Sequence, residues 1–272
     1  MSAESQDGVR DRWAKGDLYQ PFIGRWSLEV AAAFVPWLGA PAGVRWLDVG
    51  CGTGSLSRKI LELGSPESTY GIDPSEGFVK FAREIVPDRR ATFDAGAVES
   101  HRPVSGPYGA VVSGLVLNFV PDPAHFLQTM VRLASPGGII GAYVWDALGG
   151  MEILEYFWNA AIALDPEARK ISEANRFHLC RPEPLKELFE GRELQHVELR
   201  AIDIQARFRD FDDYWLPFLG GQGPAPTYAM SLSEARRSAL RERLRGSLPM
   251  EADASILLNA RAWAIKGMKG NL

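Results

Sequence analysis

The sequence predicts an α/β protein built on a doubly wound, mostly parallel β-sheet. Apolar strands alternate with amphipathic helices between residues 44 and 145, which is typical of parallel sheets covered on both faces. A buried strand also runs directly into Gly50, Gly52 and Gly54, and a helix follows from Ser55,. With 272 residues and 46% hydrophobic content, the chain can bury a substantial core, either as one large domain or as one domain with a helical lid,.

Composition favours a small-molecule ligand. The net charge is −4, with acids and bases interspersed, so neither a nucleic-acid surface nor a membrane-binding stretch is expected,. Cys51 and Cys180 are the two cysteines, too few for a disulfide framework,. The polar, acidic start lacks the pattern of a signal peptide, and no apolar run is long enough to span a membrane. A cytoplasmic monomer or homodimer is the expectation.

The glycine turn predicts a nucleotide-sized ligand. Glycines allow a tight turn and close approach of a ligand to the backbone, and the following helix offers unpaired N–H groups. Asp48 adds a hydrogen-bond acceptor at the same end of the strand. The dinucleotide pattern G-x-G-x-x-G fails because Ser55 stands at its last glycine, and no G-x-x-x-x-G-K-[ST] phosphate loop is present,.

Asp73 is the second candidate ligand residue. It ends a short apolar strand nineteen positions after Gly54, about where a βαβ unit places an acid against a ribose,. The alternative is that Asp73 caps the helix beginning near Ser75, since Pro74 and Ser75 favour a helix start.

The run from Asp48 to Gly54, followed by Asp73, resembles motifs I and II of the class I S-adenosylmethionine-dependent methyltransferases, in the type 11 or ubiquinone-biosynthesis-like group. The resemblance is specific over residues 42–146. It implies a Rossmann-like, seven-stranded sheet with N-terminal helices and a helical lid, S-adenosyl-L-methionine as cofactor and S-adenosyl-L-homocysteine as product. It also implies a set of cofactor-binding residues: Tyr19, Arg25, Asp48, Gly50, Cys51, Gly52, Asp73, Pro74, Ala97, Val98 and Ser113.

Two positions depart from the family pattern. Ala97 replaces the acid that usually meets adenine, so either Asp94 serves in a shifted register or backbone groups around Ala97 and Val98 hold the base. Asn118 stands where many relatives have histidine, and an amide is a poor general base. No catalytic residue is assigned, and neither a nucleophile arrangement nor metal-ligand spacing is found,.

Three regions are expected: an N-terminal helical cover (1–40), a cofactor-binding core (41–146), and a lid with the last strands (147–272). An aromatic lid predicts an apolar acceptor pocket containing Asn118, Trp145, Tyr214 and Trp215. Alternatively, Tyr214 and Trp215 pack the lid onto the core.

The function expected from the resemblance is in-line methyl transfer to an O, N or C atom of a small molecule. A catalytically silent S-adenosylmethionine-binding protein and an NAD(P)-dependent dehydrogenase are the alternatives.

Overall fold

The computed structural model describes residues 20–103, 105–192, 194–221 and 223–270. Seven strands of these described residues form one sheet in the order β3-β2-β1-β4-β5-β7-β6, and β7 runs antiparallel to its neighbours β5 and β6. The strands are β1 (Arg45–Val49), β2 (Ser68–Asp73), β3 (Ala91–Ala95), β4 (Tyr108–Gly114), β5 (Ala134–Trp145), β6 (Leu194–Phe208) and β7 (Ile256–Lys269). This is the predicted mostly parallel, doubly wound sheet.

Helices cover both faces of the sheet and build the lid. The α-helices of the described residues, which follow a π-helical turn (Gln20–Gly24), are α1 (Arg25–Leu38), α2 (Ser55–Leu63), α3 (Glu76–Ile85), α4 (Pro123–Leu133), α5 (Glu152–Leu164), α6 (Glu173–Arg176), α7 (Pro182–Glu190), α8 (Phe211–Trp215), α9 (Pro224–Ser231) and α10 (Glu234–Ser247). None of these described helices is long and apolar enough to span a membrane.

Successive side chains of the central strands point to opposite faces of the sheet. In β1, Trp46 packs into the apolar cluster beneath α1 and α2, whereas Leu47 packs into the opposite cluster beneath α4 and α7,. Both residues are at most 1% exposed. Apolar side chains on both faces explain why the strands read as continuous hydrophobic runs.

Local signals start the helices that flank the ligand edge. Ser75 caps α3, because its Oγ accepts a hydrogen bond from the N–H of Phe78 at 3.4 Å,. Asp122 caps α4 in the same way, and Pro123 occupies the first turn, where its missing N–H costs nothing,. These caps fix where each helix begins relative to the strand before it.

The strand order reverses between β1 and β4. Strand β1 pairs with β2 on one side and with β4 on the other, all in parallel register. The connections from β1 and β4 therefore leave in opposite directions and open a crevice at the carboxyl edge. Open α/β sheets bind their ligands at this point.

The antiparallel pair of β6 and β7 belongs to two hydrophobic cores. Its inner part, including Ile202 and Ala264, packs with the sheet, and its outer part, including Phe208 and Leu258, packs with the lid. The two strands stay paired from Leu194 to Phe208, with a shift between Gln195 and Glu198. The sheet and the lid thus share one hydrogen-bonded ribbon.

Two predicted segments differ from the structure. The apolar run from Ala110 to Leu117 predicts one buried strand, but β4 ends at Gly114, because the next residue, Leu115, has a left-handed backbone with φ of 64°. The aromatic residues Tyr214, Trp215 and Phe218, with the glycine-rich segment 220–224, predict a mobile gate, but the three aromatics lie in α8 and a 3₁₀ turn (Leu216–Gly220), and each is at most 3% exposed. Aromatic burial orders that segment.

Candidate functional site

A chamber of about 340 Å³ lies at the carboxyl edge of the sheet, under the lid. That volume falls in the usual range for small-molecule sites. Its floor is the glycine turn with Asp73 and Pro74, one wall comes from the segment 114–120, and lid residues Leu154, Glu173, Phe177, Cys180 and Pro224 close it together with Phe22 and Ile23.

The glycine turn forms the floor for a steric reason. Gly50 has φ of 72°, and a Cβ there would lie 2.4 Å from Cγ2 of Val116, so a side chain cannot fit. Gly52 also has positive φ (52°), but a Cβ would meet only Phe78, at 4.0 Å. Gly50 thus packs against the protein, whereas Gly52 leaves room on the chamber side for a ligand to reach the backbone.

Asp73 holds the turn in place. Its Oδ2 accepts a hydrogen bond from the N–H of Gly52 at 3.0 Å, and its Oδ1 accepts one from the N–H of Ser75 at 2.8 Å. Burial raises the pKa of this carboxyl, while the two backbone donors oppose the rise. Each carboxylate oxygen has a further lone pair, so Asp73 can bind a ligand's hydroxyl groups and still keep both bonds.

Asp48 is a buried acid beneath the same turn. It lines the chamber and is 1% exposed. Its Oδ2 accepts a hydrogen bond from Ser57 Oγ at 2.7 Å, whereas Oδ1 has no hydrogen-bond partner among the described residues. Burial raises the pKa of Asp48 to about 7. A cationic group of a ligand would favour the ionised form.

The cysteine of the turn, Cys51, also lines the chamber. Burial, with the nearby charges of Asp48 and Asp73, raises the pKa of this thiol well above its ordinary value. Cys51 is therefore a small apolar lining residue rather than a nucleophile.

The structure corrects the predicted position of Arg25. Its guanidinium binds Asp213 of the lid, with both carboxylate oxygens at 3.2 Å from Nη1, and lies over the rings of Trp26 and Phe208. Arg25 does not line the chamber, because this lid carboxylate and two rings hold its charge. Tyr19, which the sequence also predicts to bind the cofactor, lies outside the described residues.

Tyr214 and Trp215 are corrected in the same way. Tyr214 is 1% exposed, its hydroxyl donates a hydrogen bond to the carbonyl of Ile153 at 2.9 Å, and its ring contacts Phe208. Trp215 packs against Phe218 within the lid. Neither side chain lines the chamber, since the apolar face of α8 turns into the lid core. Both side chains therefore pack within the lid, which agrees with the alternative interpretation of these two aromatics.

Three residues expected near the cofactor also lie off the chamber. Val98 is buried in the core beneath α4, and Ala97 before it is exposed. Ser113 is fully buried, and its hydroxyl donates to the carbonyl of Val49 at 2.8 Å, joining β4 to β1. Asp94, the alternative acid, pairs with Arg83 at 3.1 Å, also away from the chamber.

Asn118 and Trp145 do line the chamber. Asn118 Nδ2 donates to Cys180 Sγ at 3.1 Å, while the buried Oδ1 has no partner among the described residues. Burial raises the pKa of the Cys180 thiol to about 12, so it stays protonated. Whether Asn118 and Trp145 contact an acceptor stays a prediction.

Several lining residues had no signal in the sequence. Phe22 and Ile23 come from the turn before α1, and Phe177 reaches the chamber from the lid, where its ring meets Phe119 at 4.9 Å. Glu173, 6% exposed, begins the four-residue helix α6. Leu115 has a left-handed backbone with φ of 64°, a strained conformation that often marks functional sites, but its residue type gives no sign of this in the sequence,.

Residues 47–142 match a family model described as a methyltransferase domain, of type 11. A ubiquinone biosynthesis O-methyltransferase of Caulobacter sp. (strain K31) is 33% identical over 105 residues, 36% of this chain and 39% of the relative. A tRNA U34 carboxymethyltransferase of Idiomarina loihiensis is 35% identical over 139 residues, 46% of this chain and 42% of the relative. The chain therefore spans about two fifths of the length of these curated relatives.

Among solved structures, a phosphoethanolamine N-methyltransferase 2 of Haemonchus contortus, in complex with S-adenosyl-L-methionine, is similar in fold. Its TM-score is 0.57 at 17% sequence identity, over 93% of this chain and 57% of that one. At this identity, the likeness concerns the fold alone.

Proposed function

We propose that this chain, which belongs to the type 11 group of class I S-adenosylmethionine-dependent methyltransferases, transfers a methyl group to a small apolar acceptor. One observation carries the proposal: a single chamber joins the glycine turn and Asp73 to an apolar space under the lid. A donor on the floor and an acceptor under the lid would then meet within one enclosed volume.

The residues on the floor fit the cofactor. Gly52 exposes backbone, Asp73 offers acceptor atoms suited to two ribose hydroxyls, and Asp48 offers a buried oxygen that has no hydrogen-bond partner in the described part of the chain. The cofactor carries an ammonium, a sulfonium and a carboxylate, so the two acids can meet its cationic groups, while unpaired N–H groups at the glycine turn and the start of α2 can meet its carboxylate. When bound, it supplies a methyl group activated by positive sulfur. The products are S-adenosylhomocysteine and a methylated acceptor.

The protein would align the acceptor with the methyl donor and exclude water from the chamber. Phe22, Leu154 and Phe177 cover the chamber with apolar surface, which excludes water and holds an acceptor against the donor. Positioning of this kind can supply about 7 to 11 kcal/mol in favourable cases. An activated methyl group needs little more than a nearby O, N or C atom with an available electron pair, so no catalytic triad is required.

Two alternatives have a specific basis. The glycine spacing would suit NAD(P) only if Ser55 were tolerated in place of the last glycine,. The similarity to a tRNA carboxymethyltransferase makes an RNA acceptor the second alternative. The described residues that line the chamber include neither lysine nor arginine to meet phosphate, which favours the small molecule,.

The test is calorimetry of the chain with S-adenosylmethionine, S-adenosylhomocysteine and NAD, followed by turnover with small acceptors and with tRNA. Asp73→Ala should weaken cofactor binding by about 1.5 to 3 kcal/mol, the usual loss for a hydrogen bond to a charged group. Asp94→Ala is the matched control, since Asp94 lies one residue before the end of the neighbouring strand but pairs with Arg83 and Tyr70. Preferential NAD binding, or equal affinity in the Asp73 variant, would refute the assignment. Cofactor binding without turnover would indicate a silent binding protein.

A further inference from the structure

Two residues at the lid side of the chamber carry polar atoms that the protein leaves unsatisfied. Asn118 Oδ1 and Trp145 Nε1 are both buried, and neither atom has a hydrogen-bond partner among the described residues. Both residues line the chamber. Buried polar atoms in folded proteins are nearly always paired, because leaving one unpaired is costly. A molecule bound in the chamber can supply the missing partners.

The fold brings the two residues to the same wall. Asn118 follows β4 and Trp145 ends β5, and these two strands are parallel neighbours. Cys180 of the lid joins the two segments, because its Sγ accepts a hydrogen bond from Asn118 Nδ2 at 3.1 Å. The backbone of Ala147, two residues after Trp145, lies beside the same sulfur. Trp145 also packs against the lid core.

The two unsatisfied atoms differ in what they can bind. An amide oxygen only accepts hydrogen bonds, and an indole N–H only donates them. Asn118 therefore requires a donor from the ligand, whereas Trp145 requires an acceptor. The bond from Nδ2 to Cys180 fixes the amide, so that Oδ1 is the atom left for the ligand. A hydroxyl group supplies a donor and an acceptor on a single oxygen.

Resting on the proposed function, we infer that Asn118 and Trp145 recognise a hydroxyl group of the methyl acceptor. Its O–H donates to Asn118 Oδ1, and its oxygen accepts from Trp145 Nε1. A ketone, an ether or a carboxylate satisfies only Trp145, and an ammonium group satisfies only Asn118. A site built to bind a hydroxyl rejects analogues without it, because its own buried polar atoms are then left unpaired. Both residues are therefore specificity-determining residues that select neutral alcohols and phenols.

A purely structural role for Asn118 predicts something different. If the amide only holds Cys180, Nδ2 is the atom that matters, and water satisfies Oδ1. Two substitutions separate the roles, because Asn118→Asp keeps an acceptor oxygen but loses the N–H donor to Cys180, whereas Asn118→Leu loses both,.

Trp145→Phe removes the indole N–H and keeps an aromatic ring. Trp263→Phe is its matched control, since Trp263 Nε1 is also buried without a partner in the described part of the chain. Trp263 does not line the chamber. A general effect of losing a buried indole N–H would therefore appear in both variants, and an effect on the ligand only in Trp145→Phe.

4-Propylphenol and 4-ethylanisole test the inference, because they are isomers of similar size and only the phenol carries an O–H donor. Each is titrated by calorimetry into the chain loaded with S-adenosylhomocysteine. The phenol should bind at least about tenfold tighter than the ether, as expected when a buried acceptor is left unpaired. Asn118→Leu should abolish this preference, and Asn118→Asp should keep it. Trp145→Phe should weaken binding of both probes at least about threefold, whereas Trp263→Phe should leave both affinities unchanged.

The outcomes separate this inference from the proposal on which it rests. Failure of S-adenosylhomocysteine to bind the unmodified chain would overturn the proposed function. If the product cofactor binds, the inference alone is overturned by equal binding of the two probes, by binding of neither, or by a preference that survives in Asn118→Leu or is lost in Asn118→Asp. Equal affinities in Trp145→Phe and Trp263→Phe would also overturn it. Comparing two probes on the same variant cancels any general loss of binding, and urea unfolding identifies a variant that does not fold.

Discussion

Replacing Asp48 with asparagine should stabilise the ligand-free protein increasingly as the pH rises. Asp48 is 1% exposed, and burial raises its pKa from 3.8 to about 7. Between these values the native state holds a proton that the unfolded chain has lost. The unfolding free energy therefore falls as pH rises from about 4 to about 7 and stays level above. At about 1.36 kcal/mol per pKa unit, the buried charge costs up to about 4 kcal/mol at pH 8.

Urea unfolding at several pH values would measure this effect. Asparagine cannot ionise, and its carbonyl can still accept the Ser57 hydrogen bond. The difference in unfolding free energy, variant minus parent, should grow by about 2.5 kcal/mol between about pH 5 and about pH 8. Asp88→Asn is the control, because Arg90 lowers the pKa of Asp88 to about 2 and its difference should stay constant over this range. A flat profile for Asp48→Asn would refute the reasoning.

Three further perturbations follow from the geometry. Gly52→Ala should lower affinity for S-adenosylmethionine at least about tenfold and cost about 1 kcal/mol of stability, since φ of 52° strains an L residue,. Gly106→Ala, at φ of 89°, is the control that should show the loss of stability alone. Calorimetry measures the affinity and urea unfolding the stability, and unchanged affinity in Gly52→Ala would contradict the prediction. Tyr214→Phe should cost about 1 kcal/mol of stability by removing a buried hydrogen bond to a helix carbonyl,, and reduced turnover at unchanged stability would contradict its packing role. A double-mutant cycle of Arg25→Met and Asp213→Asn should give a coupling energy of about 1 kcal/mol in unfolding,; additive losses would show that the ion pair does not anchor the lid.

Local sequence patterns placed the floor of the site. Strand, glycine turn and helix follow within a dozen residues, and the strand order of an open sheet brings Asp73 beside Gly52. No comparable signal exists for the lid. Cys180 meets Asn118 across 62 positions of sequence, and composition alone cannot say which face of a short aromatic helix turns inward. Tyr214 was therefore expected at the chamber, although its hydroxyl binds a carbonyl inside the lid.

Arg25 shows a second limit. From the sequence alone, a guanidinium near a predicted cofactor site is expected to bind the cofactor. In the folded chain Arg25 instead binds Asp213, 188 positions away, and stacks on two rings. Long-range competition of this kind depends on tertiary packing, which residue spacing does not encode.

The shared β6 and β7 ribbon has a consequence for how the chamber can change during a catalytic cycle. Thirteen residue pairs join the two strands, and the same strands line both hydrophobic cores. Rotating the lid as a rigid body would break this ladder, so entry and exit are confined to segments outside it, such as those carrying α6 and the turn before α1. Exchange of ligands then requires local rearrangement near Glu173 and Phe22, while the rest of the roof keeps its place relative to the floor.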